Sequence, residues 1–415
     1  MEPSVRSFTK SFAFCLFLIG CMSFALVGCV KNAPFVPKYP VKPASDSNNE
    51  FGLALFQQLN NAPKNVFFSP YSLSVALSMT AAGARGETAE AMKKVLRQVA
   101  KDKDYNASIH SMREYLRHNK GSAIRLDVAN RLWAQKGYTI ETSFQSKMTK
   151  FYNAPLRLLD FAKQAESARH TINAWVESQT QNKIKELLKP NVLQNATKLV
   201  LTNAIYFKGN WENKFDKSNT STKPFTMENG EKQNVPMMFA NRKFRTADID
   251  GHRLVSLPYK GKAFDMLLFL PKKGVKLADA SKLLHAKQLA AWEQKMYKTK
   301  VQLSLPRFKM TSAFSMGKVL SDMGMSIAFK AGQADFGGIN KKDAKQLYIS
   351  AVVHKAFLEV NEEGSEAAAA TAVVMTKSAA SLPTVVTFNR PFLLMIRHVR
   401  SNTILFMGQL HKPQP

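Results

Sequence analysis

Apolar and polar positions follow two different periods along this chain, and the period changes near its middle. Early on the spacing is helical. In "SNNEFGLALFQQLN" (47–60), Phe51, Leu55 and Leu59 fall four apart, on one face of a helix with polar cap candidates before it. In "NVFFSPYSLSVALSMTAAGARG" (65–86), Ser69 and Pro70 predict a cap and first turn, and Gly83 can close the helix. Leu73, Ala76, Leu77 and Thr80 share one face between them. Later the runs are strand-like: "KLVLTNAIYFKGNW" (Lys198–Trp211), "MLLFLP" (Met266–Pro271), "KVQLSLPRF" (Lys300–Phe308) and "LYISAVVHKAFLEV" (Leu347–Val360). "TSAFSMGKVLSDMGM" (Thr311–Met325) predicts one more helix, and "PFLLMIRHV" with "TILFMGQL" a closing strand pair. Helices first and strands later predict an α+β domain with large antiparallel sheets.

One tract fits neither period. After Val360 comes "NEEGSEAAAATAVVMTKSAAS", a glycine followed by small, mostly uncharged residues. Alanine favours helix, but a stretch this short without an apolar face is marginal alone. Ser365, Ala367, Ala369 and Thr371 alternate along one strand face and are all small; Ala372, Val373 and Val374 add β propensity. Such a segment suits a strand that must pass between packed neighbours.

The N-terminus has its own pattern. Arg6 and Lys10 precede an uncharged apolar run, Ser11–Leu26, which ends in "LVGC" (Leu26–Cys29). A charged start, a short apolar run and small residues at its end predict an export signal over residues 1–28. The "LVGC" tetrapeptide resembles the lipobox of bacterial lipoproteins, which implies cleavage before Cys29 and acylation of its thiol. The three cysteines are Cys15, Cys21 and Cys29, so the remaining domain has no pair to bridge and no thiol for catalysis. Residues 29–47, with Pro34, Pro37, Pro40 and Pro43, read as an extended tether. Residues 48–415 show no linker or repeat and read as one domain. The expected location is exported: anchored to a bacterial membrane, in the outer membrane, at the cell surface or in the extracellular space.

Charge and motifs narrow the function. The 415 residues carry 59 basic and 30 acidic side chains, a net charge of +29. That balance suits an anionic surface or a polyanion; clusters such as Met92–Asp104 and Met112–Lys120 exist, yet the basic residues are spread along the whole chain. No GxSxG, HExxH, GxGxxG or P-loop pattern is present, and no metal or cofactor is expected. An enzyme is disfavoured.

Four segments, in order, resemble the serpin family: "NVFFSPYSLSVALSMTAAGARGETAEAM", "LTNAIYFKGNWENKF", "VNEEGSEAAAAT" and "FNRPFLLMIRH". The resemblance implies three β-sheets, eight to nine helices and an exposed reactive-centre loop over about 364–383. It implies a monomeric suicide-substrate inhibitor of serine endopeptidases, with papain-like cysteine enzymes as a second target class. Cleavage of the loop would be followed by its insertion into the main sheet. The hinge would comprise Glu362, Glu363, Gly364, Ser365, Glu366, Ala367, Ala368, Ala369, Ala370 and Thr371. Ser69, Ser72, Asn203 and His354 would form a polar "shutter" beneath the sheet, and Trp211 with Glu362 would mark its opening end. Counting from Glu362, the reactive bond is Ser378–Ala379, suited to elastase-like enzymes, or Lys377–Ser378, suited to trypsin-like ones. The rival expectation is a non-inhibitory member that binds polyanions or acts as a chaperone; the small hinge residues argue against it.

Overall fold

The computed structural model describes residues 35–414 apart from Asn61, Ser122 and 366–382. Cys29, Glu366–Thr371 and the bond candidates Lys377, Ser378 and Ala379 lie outside the described residues. Nine α-helices occur among the described residues. Six come early: α1 (Lys42–Leu59), α2 (Pro70–Ala81), α3 (Gly86–Val95), α4 (Asp102–Asn119), α5 (Thr142–Lys147) and α6 (Phe161–Gln179). Three are short and lie between later strands: α7 (Leu277–Ser281), α8 (Ala286–Gln294) and α9 (Gly317–Leu320).

The strands form two hydrogen-bonded sheets. One runs, in spatial order, β10 (Phe308–Ser315), β11 (Ile349–Val360), β4 (Leu199–Asn210), β2 (Ile124–Gln135) and β3 (Arg157–Leu159). A two-residue strand, β12 (Gly364–Ser365), pairs with the far end of β4. The second sheet runs β1 (Val66–Phe68), β15 (Thr403–Leu410), β14 (Phe392–His398), β8 (Phe264–Leu270) and β7 (His252–Pro258). It continues through β6 (Lys232–Ile249) to β9 (Tyr297–Pro306) and β13 (Thr384–Thr387), with β5 (Ser221–Thr226) also on β6. The expected third sheet is joined to the second through β6, whose 18 residues pair with β9 along one edge and with β5 and then, farther along, β7 on the other.

Local sequence explains the central elements. Ser69 caps α2 by accepting the Ser72 N–H at 3.0 Å, and Pro70 opens the first turn. The helix is buried on every side, not along one face alone, because it lies between β15, β2 and β4. Residues Leu199–Phe207 of β4 are all buried, as a strand covered on both faces must be.

Three expectations change. Helix α1 begins at Lys42 with Pro43 in its first turn, inside the stretch read as a tether. The Tyr39 N–H already donates to Ser111 Oγ at 3.0 Å, so the packed domain starts earlier than residue 48. The supposed caps Ser47, Asn48 and Asn49 are buried within α1. Asn48 donates to the Ile404 carbonyl at 2.9 Å, and Asn49 Oδ1 accepts the Ile404 N–H at 2.9 Å, which ties α1 to β15. Thr311–Ser315, read as helix, continue β10: exposed Thr311, Ala313 and Ser315 alternate with half-buried Ser312 and Phe314.

Candidate functional site: the seam between β4 and β11

Strands β4 and β11 run parallel and pair from Ile349 opposite Leu199 to Phe357 opposite Tyr206. Past that point the two strands no longer pair with each other. Gly364 and Ser365 lie in the gap, antiparallel to β4, opposite Asn210 and Gly209. A tight turn brings them there: the Asn361 N–H donates to the Gly364 carbonyl at 2.9 Å, and Asn361 Oδ1 accepts the Glu363 N–H at 3.0 Å. Gly364 has φ +150°, and a Cβ there would sit 2.1 Å from the Gly209 carbonyl oxygen. Only glycine fits this position. Ser365 is fully buried, with its hydroxyl 2.8 Å from the Tyr259 hydroxyl. Tyr259 stacks on Trp211 at 4.6 Å, and Trp211 Nε1 donates to the Asn361 carbonyl at 2.9 Å. Burial pushes the Tyr259 phenol far above its ordinary range, so it stays a neutral hydrogen-bonding group.

The two preceding glutamates are anchored as well. Glu362 accepts from Arg307 at 2.6 Å and from Thr220 at 2.7 Å. Glu363 pairs with Lys214 and, at 3.4 Å, with Lys217. Burial raises both carboxyls, but these partners outweigh it and hold both below the usual carboxylate range. The loop was expected to be exposed from Gly364 onward. Instead Glu362, Glu363, Gly364 and Ser365 are all buried, because ion pairs and a sheet register hold them.

A second polar cluster crosses the seam lower down. Asn203 on β4 and His354 on β11 are in register, and His354 Nδ1 donates to Asn203 Oδ1. His354 Nε2 accepts the Ser69 N–H at 3.1 Å, which fixes the neutral Nδ1–H tautomer. Asn203 Nδ2 donates to Ser72 Oγ at 2.7 Å and to Asn130 Oδ1 at 2.6 Å. Ser69, Ser72, Asn203 and His354 are completely buried, and every member has a partner. The structure therefore brings the four residues together, and it places Trp211 with Glu362 and Glu363 at the upper end. Desolvation pushes His354 down to about 3.

Sequence reading missed Asn130, Tyr259 and Arg307. Asn130 completes the cluster from β2, whose mixed pattern "IRLDVANRLWAQ" hides a strand. An asparagine flanked by Val128, Ala129 and Leu132 was the available signal. Nothing local marks Tyr259 or Arg307.

The cluster predicts a pH response. The unfolded chain protonates His354 below about pH 6.5, whereas the folded chain holds it neutral down to about 3. Stability therefore falls as pH drops through that window, by up to about 1.4 kcal/mol per pH unit from this group. His398 and His411, each pushed down to about 4, add to the slope. His354→Ala leaves the Ser69 N–H and Asn203 Oδ1 unpaired, at a cost on the order of 3 kcal/mol at pH 7.5. Urea unfolding from pH 7.5 to 4.5 checks both points: the variant should start weaker and decline less steeply.

Comparison with known proteins agrees with this geometry. The family model described as "Serpin (serine protease inhibitor)" matches residues 46–413. The chain is 40% identical to Serpin B6 of Macaca fascicularis over 89% of this chain and 99% of that protein. It is 38% identical to the leukocyte elastase inhibitor of Homo sapiens, again over 89% and 99%. Among solved structures it resembles the thermophilic serpin tengpin in its native state, with TM-score 0.83 and 28% identity over 92% of this chain and 97% of that one. Uncleaved ovalbumin is similar too, with TM-score 0.79 and 29% identity over 90% and 100%. The chain belongs to the serpin family.

Proposed function

We propose that the protein is not an enzyme but a suicide-substrate inhibitor of serine endopeptidases, with papain-like cysteine enzymes as a second target class. The observation that carries this reading is β12, seated at the top of the β4–β11 seam in antiparallel register. Serpin loop insertion is itself a documented case of strand addition. Here the register indicates where each residue would go. Continuing from Gly364 opposite Asn210 and Ser365 opposite Gly209 puts Ala367 opposite Phe207, Ala369 opposite Ile205 and Thr371 opposite Asn203. Once inserted, these residues would share the core-facing side of Ser365, and each is small enough to enter without displacing Phe207 or Ile205. Thr371 would arrive level with Asn203 and His354 and replace the bond between them. The small hinge also favours inhibition over a purely polyanion-binding or chaperone role. The relatives named as an elastase inhibitor and, in Mus musculus, as antithrombin-III (37% identical) support the same reading.

The bait is assigned to Lys377–Ser378 for trypsin-like enzymes and Ser378–Ala379 for elastase-like ones. The "LVGC" motif supports a membrane-anchored, lipid-modified protein beginning at Cys29.

Ala367→Arg should abolish the denaturation-resistant complex with trypsin while cleavage continues, because an unpaired charge opposite Phe207 opposes insertion by several kcal/mol, on the order of 3 or more. Undiminished complex on a denaturing gel would end the insertion mechanism for this chain.

Lys377→Ala should lose the trypsin complex and keep the elastase complex. Mass spectrometry of the released C-terminal peptide should show a start at Ser378 after trypsin and at Ala379 after elastase; one common cut elsewhere would remove the two-bond assignment.

Cys29→Ser should abolish lipid modification and shift the protein from the membrane to the soluble fraction or leave it unprocessed. A wild-type protein that is already soluble with an unmodified terminus would refute the anchor.

A further inference from the structure

Strands β6, β9 and β13 lie side by side at one end of the nine-stranded sheet, and β13 is where the chain re-enters the sheet after the reactive loop. Their register makes an unusual set. Lys243 lies opposite Lys300, and Arg245 lies opposite Lys298. Directly opposed residues share a face of the sheet, as do alternate residues along a strand. The four cations therefore form one block on one face. Phe244, Thr246 and Val301 point the other way and are buried, so the block is on the outer surface. Val385 of β13, opposite Gln302 and 64% exposed, continues that surface toward the loop.

Like charges directly opposed across a ladder destabilise it. Nothing among the described residues offsets them. Lys243, Lys298 and Lys300 have no carboxylate partner there, and Arg245 reaches only the Glu293 backbone carbonyl at 3.4 Å. The Glu293 carboxylate is turned to Arg397 instead. Folding gains nothing from this arrangement, so a partner with complementary charge is the physical account of it.

Chain length says which partner. Residue 378 is six positions before Thr384, at most about 20 Å of extended chain. A protease domain of ordinary size has a radius of gyration of about 17 Å. An enzyme seated on the bait bond is therefore within reach of the block. We propose that the outer face formed by Lys243, Arg245, Lys298 and Lys300 is a second docking surface for the target protease, favouring enzymes with an acidic patch beside their active-site cleft. This rests on the inhibitor reading above.

The test uses the anionic and cationic isoforms of trypsin, which share a specificity and differ in charge. Lys243, Arg245, Lys298 and Lys300 are all changed to Ala, which removes like-charge contacts and leaves the hinge untouched. A control carries Lys185→Ala and Lys189→Ala, in the segment whose Lys185 carbonyl accepts from Lys355 of β11. At low salt the fourfold variant should associate with anionic trypsin about tenfold more slowly, as expected when steering charge is lost. Its salt dependence should flatten, and its stoichiometry of inhibition should stay unchanged. The control and the cationic enzyme should change little. An equal fall in the control, or none in the fourfold variant, overturns the proposal. A variant that loses retention on heparin but keeps its rate with anionic trypsin assigns the face to a polyanion and also overturns it. If neither trypsin forms a covalent complex, the inhibitor reading fails separately, and binding of inactive anionic trypsin to the same variants still decides the docking question.

Discussion

The hydrogen-bonded seam between β4 and β11 is the constraint on which the rest of this structure depends. The two strands are parallel neighbours along most of their length, while β12 lies antiparallel to β4 at the top. Parallel pairing is slightly weaker per residue than antiparallel pairing. A strand continuing from β12 would replace one parallel ladder with two antiparallel ones. What keeps the seam closed is therefore local: the ladder itself, and the His354–Asn203 bond that crosses it.

That bond is made robust by its surroundings. His354 is held from the other side by the Ser69 N–H, and Ser69 in turn caps α2. Asn203 shares its amide with Ser72 and Asn130. The cap of a buried helix and the lock on a sheet are thus joined through the same two residues, Ser69 and Ser72. A buried network of this kind is stable while complete and costly when one member is lost. At the upper end, ion pairs fix Glu362 and Glu363, and Gly364 turns the chain toward the gap. Fixed anchors and a small-residue hinge together define where a strand could enter.

Much of this was legible in sequence, for identifiable reasons. β8 is buried throughout and its run is apolar apart from Asp265, and β4 and β11 are mostly apolar and β-branched or aromatic, so all three could be read directly. Ser69 and Pro70 announced their helix because caps act over three residues. The failures share a cause: a partner distant in sequence. Ser47, Asn48 and Asn49 resembled caps because their true partners lie far along the chain: the Arg97 carbonyl for Ser47 and Ile404 of β15 for the two asparagines. β2 was hidden by Arg125, Asp127 and Asn130, and with it the last member of the shutter. The burial of Glu362, Glu363 and Ser365 depends on Arg307, Lys214 and Tyr259, none of which marks its role locally.

The central claim is that the closed seam is a poised state, and that a strand filling it yields a more stable sheet. The most direct measurement is the urea unfolding midpoint of the purified domain before and after a single cut within residues 366–382. The account predicts that the cut protein unfolds at a markedly higher urea concentration, because the freed segment completes the sheet. An unchanged or lower midpoint after clean cleavage would contradict it.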